Sequence, residues 1–577
     1  MVDEGEAPVQ WLDQPLMLVR RSGATEDAPF PAIVDGADDP VVAVDCGHPV
    51  LQLGFELLAT HILQLVMPPR DSEAWTARLF SPPSRAELED ALLPYRDALL
   101  LSGIDKPFLQ VKPPRIDEIK RHPVSNLLPD TPSPNAIEKN EDFFVKRGNY
   151  GAVHAGLAAP LLYAGTALFP SGGGGYLDIP HKANSLKYQI VGRTLWETLW
   201  LNVLDQRSPD LREAQWPAPM DGTVFPWLRD DVRTLHLGRQ NDSQKKKRRD
   251  AGLAELNTVI SVGPGDRHPA GFAMPRRYLL DPPREGRCSV TGREGLVFET
   301  FQRWTHGLSY DAQGWTAPYV APLEKLKADG TSDGRWFSQA SAPLRLDDWL
   351  SPALDAAGSG GNDTGKTTFV AHPPPVVRAL RGRLGTLVDA FEELEDRAEE
   401  ASAATPELPF RVRVVTQFSF GKAVGGMSEK SLPVYRLREG AHRQLASEAA
   451  GLSRTLGSIA WAVRKHAGAA IKLGDPNGKP VLPAQMEDAL LREMEGRLLD
   501  ILPRMASALA GGATADDAFL DLRDALAKEA KDRALALFDA AFPVETVDRM
   551  AAQIALIRRR LRHDLYGSPK AGKKTAA

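Results

Sequence analysis

From Leu445 to Leu565 the apolar residues recur at alternating intervals of three and four. The first run is Leu445, Ala449, Leu452, Leu456, Ile459 and Val463. The second is Met486, Leu490, Met494, Leu498, Ile501, Met505 and Leu509. A third follows a candidate N-cap, Thr514, through Phe519, Leu522, Leu526, Ala530, Ala534, Leu537 and Ala541. The fourth is Val547, Met550, Ile554, Ile557, Leu561 and Leu565. Such spacing puts each set on one stripe of a helix, and four stripes predict a four-helix bundle. Gly511-Gly512 and Pro543 fall where two connections belong.

The pattern upstream is different. Leu380, Leu384, Leu387, Phe391 and Leu394 keep helical spacing, Val412 to Val415 reads as a strand, and Gly421 to Met427 reads as a glycine-bearing loop. Before residue 345 short apolar runs alternate with proline and irregular chain. Leu16 to Arg20 predicts a strand, Leu51 to Leu65 a helix, and Gly151 to Phe169 a buried helix of small apolar residues. The expected fold class is α+β. A large mixed α/β N-terminal domain (1–372) carries recognition loops; a connecting helix and a wedge loop (373–435) follow. A four-helix bundle (436–566) and a disordered basic tail (567–577) complete the chain.

Composition narrows the function classes. At 577 residues the chain exceeds one ordinary core, and 43% hydrophobic with 25% charged residues describes a soluble globular protein. Two cysteines, Cys46 and Cys288, exclude a disulfide framework and predict a reducing, cytoplasmic setting. The acidic start, Met1 to Glu6, predicts no signal peptide, and no membrane partner is expected. A net charge of −5 means that nucleic-acid contacts must be local or shared with other subunits.

The most distinctive local feature is Gly172-Gly173-Gly174-Gly175-Tyr176, at the end of the Gly151 to Phe169 segment. Bare backbone permits the close approach of a ligand but costs entropy to order. A basic run, Lys245, Lys246, Lys247, Arg248 and Arg249, reads as a solvated loop or a polyanion contact. Gly360 to Thr367 fits the phosphate-loop pattern G-x-x-x-x-G-K-T, with Lys366 and Thr367 in the phosphate-binding positions. That motif needs a strand before it and a helix after it, whereas Thr368 to His372 runs into Pro373-Pro374-Pro375. A P-loop NTPase therefore stands as an alternative, and so does a scaffold that binds only proteins. Cys288 has no second thiol nearby, so neither a metal nor a cofactor is expected. The twelve histidines show no metal spacing; with neither a nucleophile elbow nor a carboxylate dyad, no catalytic residue is expected.

Several segments, in order, resemble the CasA family, the large subunits of type I-E CRISPR surveillance complexes (Cascade). They are Trp11 to Arg20, Pro107 to Gln110, Leu127 to Asn135, Phe169 to Tyr176, Phe272 to Pro282 and Gly314 to Tyr319, with the terminal bundle last. The resemblance implies a non-catalytic subunit that reads the protospacer-adjacent motif from the minor groove, helps open the duplex for R-loop formation and docks a helicase–nuclease. Implied partners are the other Cascade subunits, the 5′ end of the guide RNA and double-stranded target DNA. Gly172 to Gly175 would face the groove with Tyr176 behind them. The loop at Asn135, with Phe143 and Phe144, would meet the guide RNA and the flanking motif. Arg303, near His306, would be the cationic finger. Lys422, Val424, Gly425 and Gly426 would form the wedge. Relatives with two cysteine pairs could hold zinc; here the first pair aligns with Ala152 and Ala155, and the second keeps only Cys288.

Overall fold

The computed structural model describes residues 7–567 apart from 113–120, 133, 141, 143–146, 170–178, 180, 182, 212–219, 221, 231–258, 262–271, 305–306, 312–316, 328, 338–342, 357–367, 398–405, 421–422, 475–480 and 544–549. Its N-terminal body is a mixture of short helices and small sheets, none wider than three strands among the described residues. At its centre α1 (Pro49–Val66) packs on α2 (Ala155–Ala167).

The residue choices explain this contact. Every residue of α2 is buried, which its small side chains permit. A side chain at Gly54 of α1 would stand 2.9 Å from the Pro160 carbonyl, so glycine lets the two backbones meet. Pro160 lacks the N–H that would bond the Gly156 carbonyl one turn earlier. The Trp11 indole donates to that carbonyl instead, at 2.8 Å. At the start of α2 the His154 ring caps the Gly156 N–H at 3.0 Å. Within the Gly151 to Phe169 segment the expected buried helix is present over Ala155–Ala167, preceded by a short strand at Val153–His154. One helix among the described residues, α1, is long and apolar enough to cross a membrane, and 83% of that stretch is buried inside the protein.

Two antiparallel sheets touch α2, and a third carries a long hairpin. In one, β7 (Thr300–Trp304) lies between β1 (Arg121–Pro123) and β4 (Arg277–Leu280). In the second, β6 (Glu294–Phe298) lies between β2 (Val153–His154) and β5 (Arg284–Arg287). The third places β9 (Glu407–Phe420) between β3 (Lys187–Val191) and β10 (Ala423–Tyr435). The strand expected at Val412 to Val415 lies within β9, pairs there with β3 of the N-terminal body, and continues with β10 as a long hairpin.

A helix, α3 (Leu346–Ala353), then β8 (Thr368–Ala371) and α4 (Pro375–Arg397) lead toward the bundle. In α4 Leu380, Leu384, Leu387 and Phe391 are buried as expected, but Leu394 is exposed. The bundle comprises α5 (Glu439–Gly474), α6 (Val481–Ala510), α7 (Ala515–Ala541) and α8 (Ala551–Tyr566). All four predicted helices are present, and their stripes face one another. Two positions slip by one residue: Leu502 and Phe538 are the buried members rather than Ile501 and Leu537. Val547 lies outside the described residues.

Buried polar contacts fasten the bundle to the body. The Glu495 carboxylate of α6 accepts from the Trp349 indole of α3 at 3.1 Å and from Lys430 of β10 at 2.8 Å. His442 of α5 accepts at Nδ1 from Arg381 of α4 at 3.1 Å, and its Nε2 donates to the Leu354 carbonyl at 2.9 Å. Burial, reinforced by the Arg381 charge, pushes the His442 pKa down to about 3, so the ring is neutral.

Candidate nucleic-acid interface

The end of α2 is where the sequence places its glycine tetrad. The last carbonyls of a helix have no partner within it. Here they are taken by side chains of the β4 strand and the residue before it. The Gly165 carbonyl accepts from Arg276 at 2.8 Å and from the Tyr278 hydroxyl at 3.2 Å, and Arg276 also donates to the Phe169 carbonyl. Gly172, Gly173, Gly174, Gly175 and Tyr176 themselves lie outside the described residues.

Beside this helix end, β7 carries Arg303 directly opposite Tyr278 of β4. Arg303 therefore sits on a half-buried strand position, one residue from the Trp304–Arg277 pair. Burial depresses the Arg277 pKa to about 10, which leaves the guanidinium charged at neutral pH. His306 is outside the described residues.

The loop leading to Asn135 is held by a buried histidine. His48, the N-cap of α1, meets the Asp130 carboxylate at 3.0 Å, and the Tyr150 hydroxyl donates to the other Asp130 oxygen at 3.2 Å. Thr131 closes the turn by donating to the Ser125 and Leu128 carbonyls, at 2.6 and 2.9 Å. Asn135 follows in a short helix, Pro134–Glu138; Phe143 and Phe144, like Lys245 to Arg249, are outside the described residues.

The wedge segment departs from expectation. Val424, Gly425 and Gly426 are part of strand β10 rather than a loop. Gln417 pairs with Met427 and Ser419 with Val424, so Gly425 and Gly426 together oppose Phe418 alone. This is a β-bulge, which bends and over-twists the strand that carries the extra residue. Val412, Val414, Val415 and Thr416 strongly favour extended chain, and they carry pairing past the glycines to Phe420 opposite Ala423. Lys422 lies outside the described residues.

The structure brings some of these places together. Arg303 and the end of α2 share the β4–β7 sheet through Tyr278. The return limb after the tetrad meets the hairpin root, where Thr416 donates to the Asn184 carbonyl at 3.2 Å. Lys187, at the start of β3, is buried and donates to the Ala183 carbonyl and, at 2.8 Å, to the Ser185 carbonyl. Arg276, Tyr278, Lys187, His48 and Asp130 were not singled out as site residues from the sequence. The available signal was Arg276-Arg277 inside an otherwise apolar motif, Phe272 to Pro282.

Two other motifs resolve locally. Gly360 to Thr367 lies outside the described residues, but helix α3 precedes it and strand β8 follows. That order reverses the strand–loop–helix of a phosphate loop. At the degenerate cysteine positions, Ala152, Ala155 and Cys288 are buried. Ser289 donates its N–H to the Ala152 carbonyl at 2.8 Å and accepts the Ala152 N–H on its hydroxyl at 3.0 Å. Hydrogen bonds and packing thus join the two segments, and no cluster of metal-ligating side chains occurs among the described residues.

Comparison with known proteins agrees with this architecture. The family model of the CRISPR-associated protein Cse1 matches residues 12–533. The fold is similar to that of Thermus thermophilus CasA (Cse1), with TM-score 0.60 and 17% identity over 96% of this chain and 99% of that one. It is similar to Cse1 of Acidimicrobium ferrooxidans, with TM-score 0.58 and 16% identity over 97% and 98% of the two chains. A chain of a CRISPR RNA-guided surveillance complex gives TM-score 0.59 and 14% identity over 97% and 99%. No curated protein matches the sequence.

Proposed function

Because the chain belongs to the CRISPR-associated Cse1 (CasA) family, we propose that it is the non-catalytic large subunit of a type I-E CRISPR RNA-guided complex that reads the motif flanking the target in double-stranded DNA. The observation that carries this reading is a run of four glycines issuing from the end of a buried, side-chain-capped helix. The minor groove is narrow and its edge code degenerate, so a backbone free of side chains suits it better than a long side chain.

In this reading Gly172 to Gly175 enter the groove and Tyr176 backs them. Arg303 supplies a cation at the adjoining sheet, and Asn135, Phe143 and Phe144 meet the 5′ end of the guide RNA and the flanking motif. The β9–β10 hairpin separates the strands; Lys422, Val424, Gly425 and Gly426 form the wedge, with the Gly425–Gly426 bulge twisting the strand that follows Val424. Lys245 to Arg249 add a local basic contact, which reconciles DNA binding with the chain's net charge of −5. Base pairing with the guide selects the remaining sequence. The other subunits are partners, and the opened complex docks a helicase–nuclease.

The test is a mobility-shift titration of the assembled complex on a duplex with the correct flanking motif. Gly173→Tyr together with Gly174→Tyr should weaken binding by about a hundredfold or more, as expected when a snug backbone contact is replaced by a clash. Binding equal to that of the unaltered complex would remove the glycine run from recognition.

A further inference from the structure

The glycine run lies within thirteen residues, 170–182, that separate Phe169 from Ala183. Both flanks of this stretch are gripped by buried cations. On the outgoing side the Arg276 guanidinium takes the Gly165 carbonyl at 2.8 Å and the Phe169 carbonyl, while the Tyr278 hydroxyl shares Gly165 at 3.2 Å. On the returning side the Lys187 ammonium takes the Ala183 carbonyl, the Ser185 carbonyl at 2.8 Å and the Ser185 hydroxyl at 3.4 Å. Arg276 and Lys187 are both buried.

Stability alone does not ask for cations here, since apolar side chains of similar length would fill the space without the cost of desolvating a charge. What cations add is direction. Each donates several charge-assisted bonds to successive backbone oxygens and so fixes the path of the chain. Four glycines are the most expensive residues to order, and anchoring both flanks removes part of that cost before any ligand arrives. The returning anchor has a second attachment. Lys187 pairs with Val415 of β9, and the neighbouring Thr416 hydroxyl donates to the Asn184 carbonyl at 3.2 Å. The few residues from Ala183 to Lys187 therefore hold the returning flank and the hairpin root at once.

We infer that Arg276 and Lys187 are positioning residues for duplex recognition, aiming the two flanks of the glycine run and locking its return to the β9–β10 hairpin. This rests on the proposed reading of the glycine run as the groove-facing element. The two residues act on duplex DNA with its flanking motif and are silent once the strands are already apart, because guide pairing needs neither element.

The experiment uses the assembled complex and two targets: a duplex with the flanking motif, and the same guide-complementary strand single-stranded. Arg276→Met and Lys187→Met should each weaken duplex binding by about tenfold or more, the scale of a lost charge-assisted contact. Single-strand binding should stay within about twofold of the parent. Two gentler variants cover the case in which these do not fold. Arg276→Lys keeps the charge without the two-pronged fork, and Tyr278→Phe removes one hydroxyl. Both should show the same selective loss, at roughly threefold. Unchanged duplex binding in folded variants overturns the inference, as do equal losses on both targets. Gly174→Tyr is titrated alongside. If it loses duplex binding while the cation variants do not, the positioning roles fail and the groove reading stands. If it too binds like the parent, the groove reading itself falls, and the inference with it.

Discussion

The N-terminal body around α2 and the C-terminal bundle solve the same packing problem by opposite means. Around α2, polar groups are buried and matched with particular backbone oxygens: Trp11 with Gly156, Arg276 with Gly165 and Phe169, Lys187 with Ala183 and Ser185. In the bundle the interior is a seam of Leu, Met, Ala and Phe, and many of its ion pairs lie out in solvent, as between Arg533 and Glu493 or Arg497 and Glu529. An apolar seam decides which face turns inward and little else. Directional bonds to carbonyls decide where the backbone goes next. The first device suits a rigid handle, and the second suits a body that must present loops at set places.

The sharpest way to break this contrast is to damage the handle. Leu498 of α6 is fully buried in the seam. Leu498→Ala should cost about 2–5 kcal/mol, the transfer loss plus the cavity it leaves. Thermal or urea unfolding of the purified chain measures this. Complexes assembled from the folded fraction should keep their preference for duplex with the correct flanking motif. A loss of motif preference at unchanged stability would mean that the bundle, too, sets loop geometry.

The contrast also explains what the sequence made legible. The bundle was readable because its cause is local: residues three and four apart on one helix. Even there the stripe slipped to Leu502 and Phe538, since a helix turns 3.6 residues and the buried face drifts against any fixed spacing. The bracing of α2 was not readable, because Arg276 and Gly165 are 111 residues apart and Thr416 and Asn184 are 232 apart. No periodicity reports such pairs. Gly421 to Met427 misled in another way. Glycines argue for a loop when read alone, but in a hairpin whose other strand carries Val412, Val414, Val415 and Thr416, Gly425 and Gly426 form the bulge of a paired strand. Within the helix predicted over Gly151 to Phe169, Pro160 frees the Gly156 carbonyl, and no local pattern reports that Trp11, 145 residues away, takes it.

Acid offers a milder test that reaches both regions. His154 caps α2, and burial with Arg293 nearby lowers its pKa to about 4; His442, at the join to the bundle, is lowered to about 3. Both values lie below the ordinary histidine value of about 6.5. Between those limits the unfolded chain binds protons that the folded chain refuses, so stability is full above pH 6.5 and falls as pH drops. Each ring should contribute a slope of up to about 1.4 kcal/mol per pH unit, ending near pH 4 for His154 and continuing toward pH 3 for His442. Urea midpoints measured from pH 7 to pH 4.5 check this. His154→Asn keeps a capping side chain and should remove only its own share of the slope. A stability that rises on acidification would reverse the assignment of both rings as neutral.

The smallest effect expected comes from the bundle's exterior. Arg533 of α7 meets Glu493 of α6 at 2.7 Å, a good geometry, yet both side chains are more than two-fifths exposed. In that setting water and salt screen the attraction, and two long side chains lose rotamer freedom to make it. Arg533→Ala should therefore change stability by less than about 0.5–1 kcal/mol, and the change should shrink further in 1 M salt. A loss as large as that of Leu498→Ala would mean that ion pairs, not the apolar seam, hold α6 to α7. The handle would then share the logic of the body, and the distinction between a seam that only chooses a face and contacts that steer the backbone would dissolve.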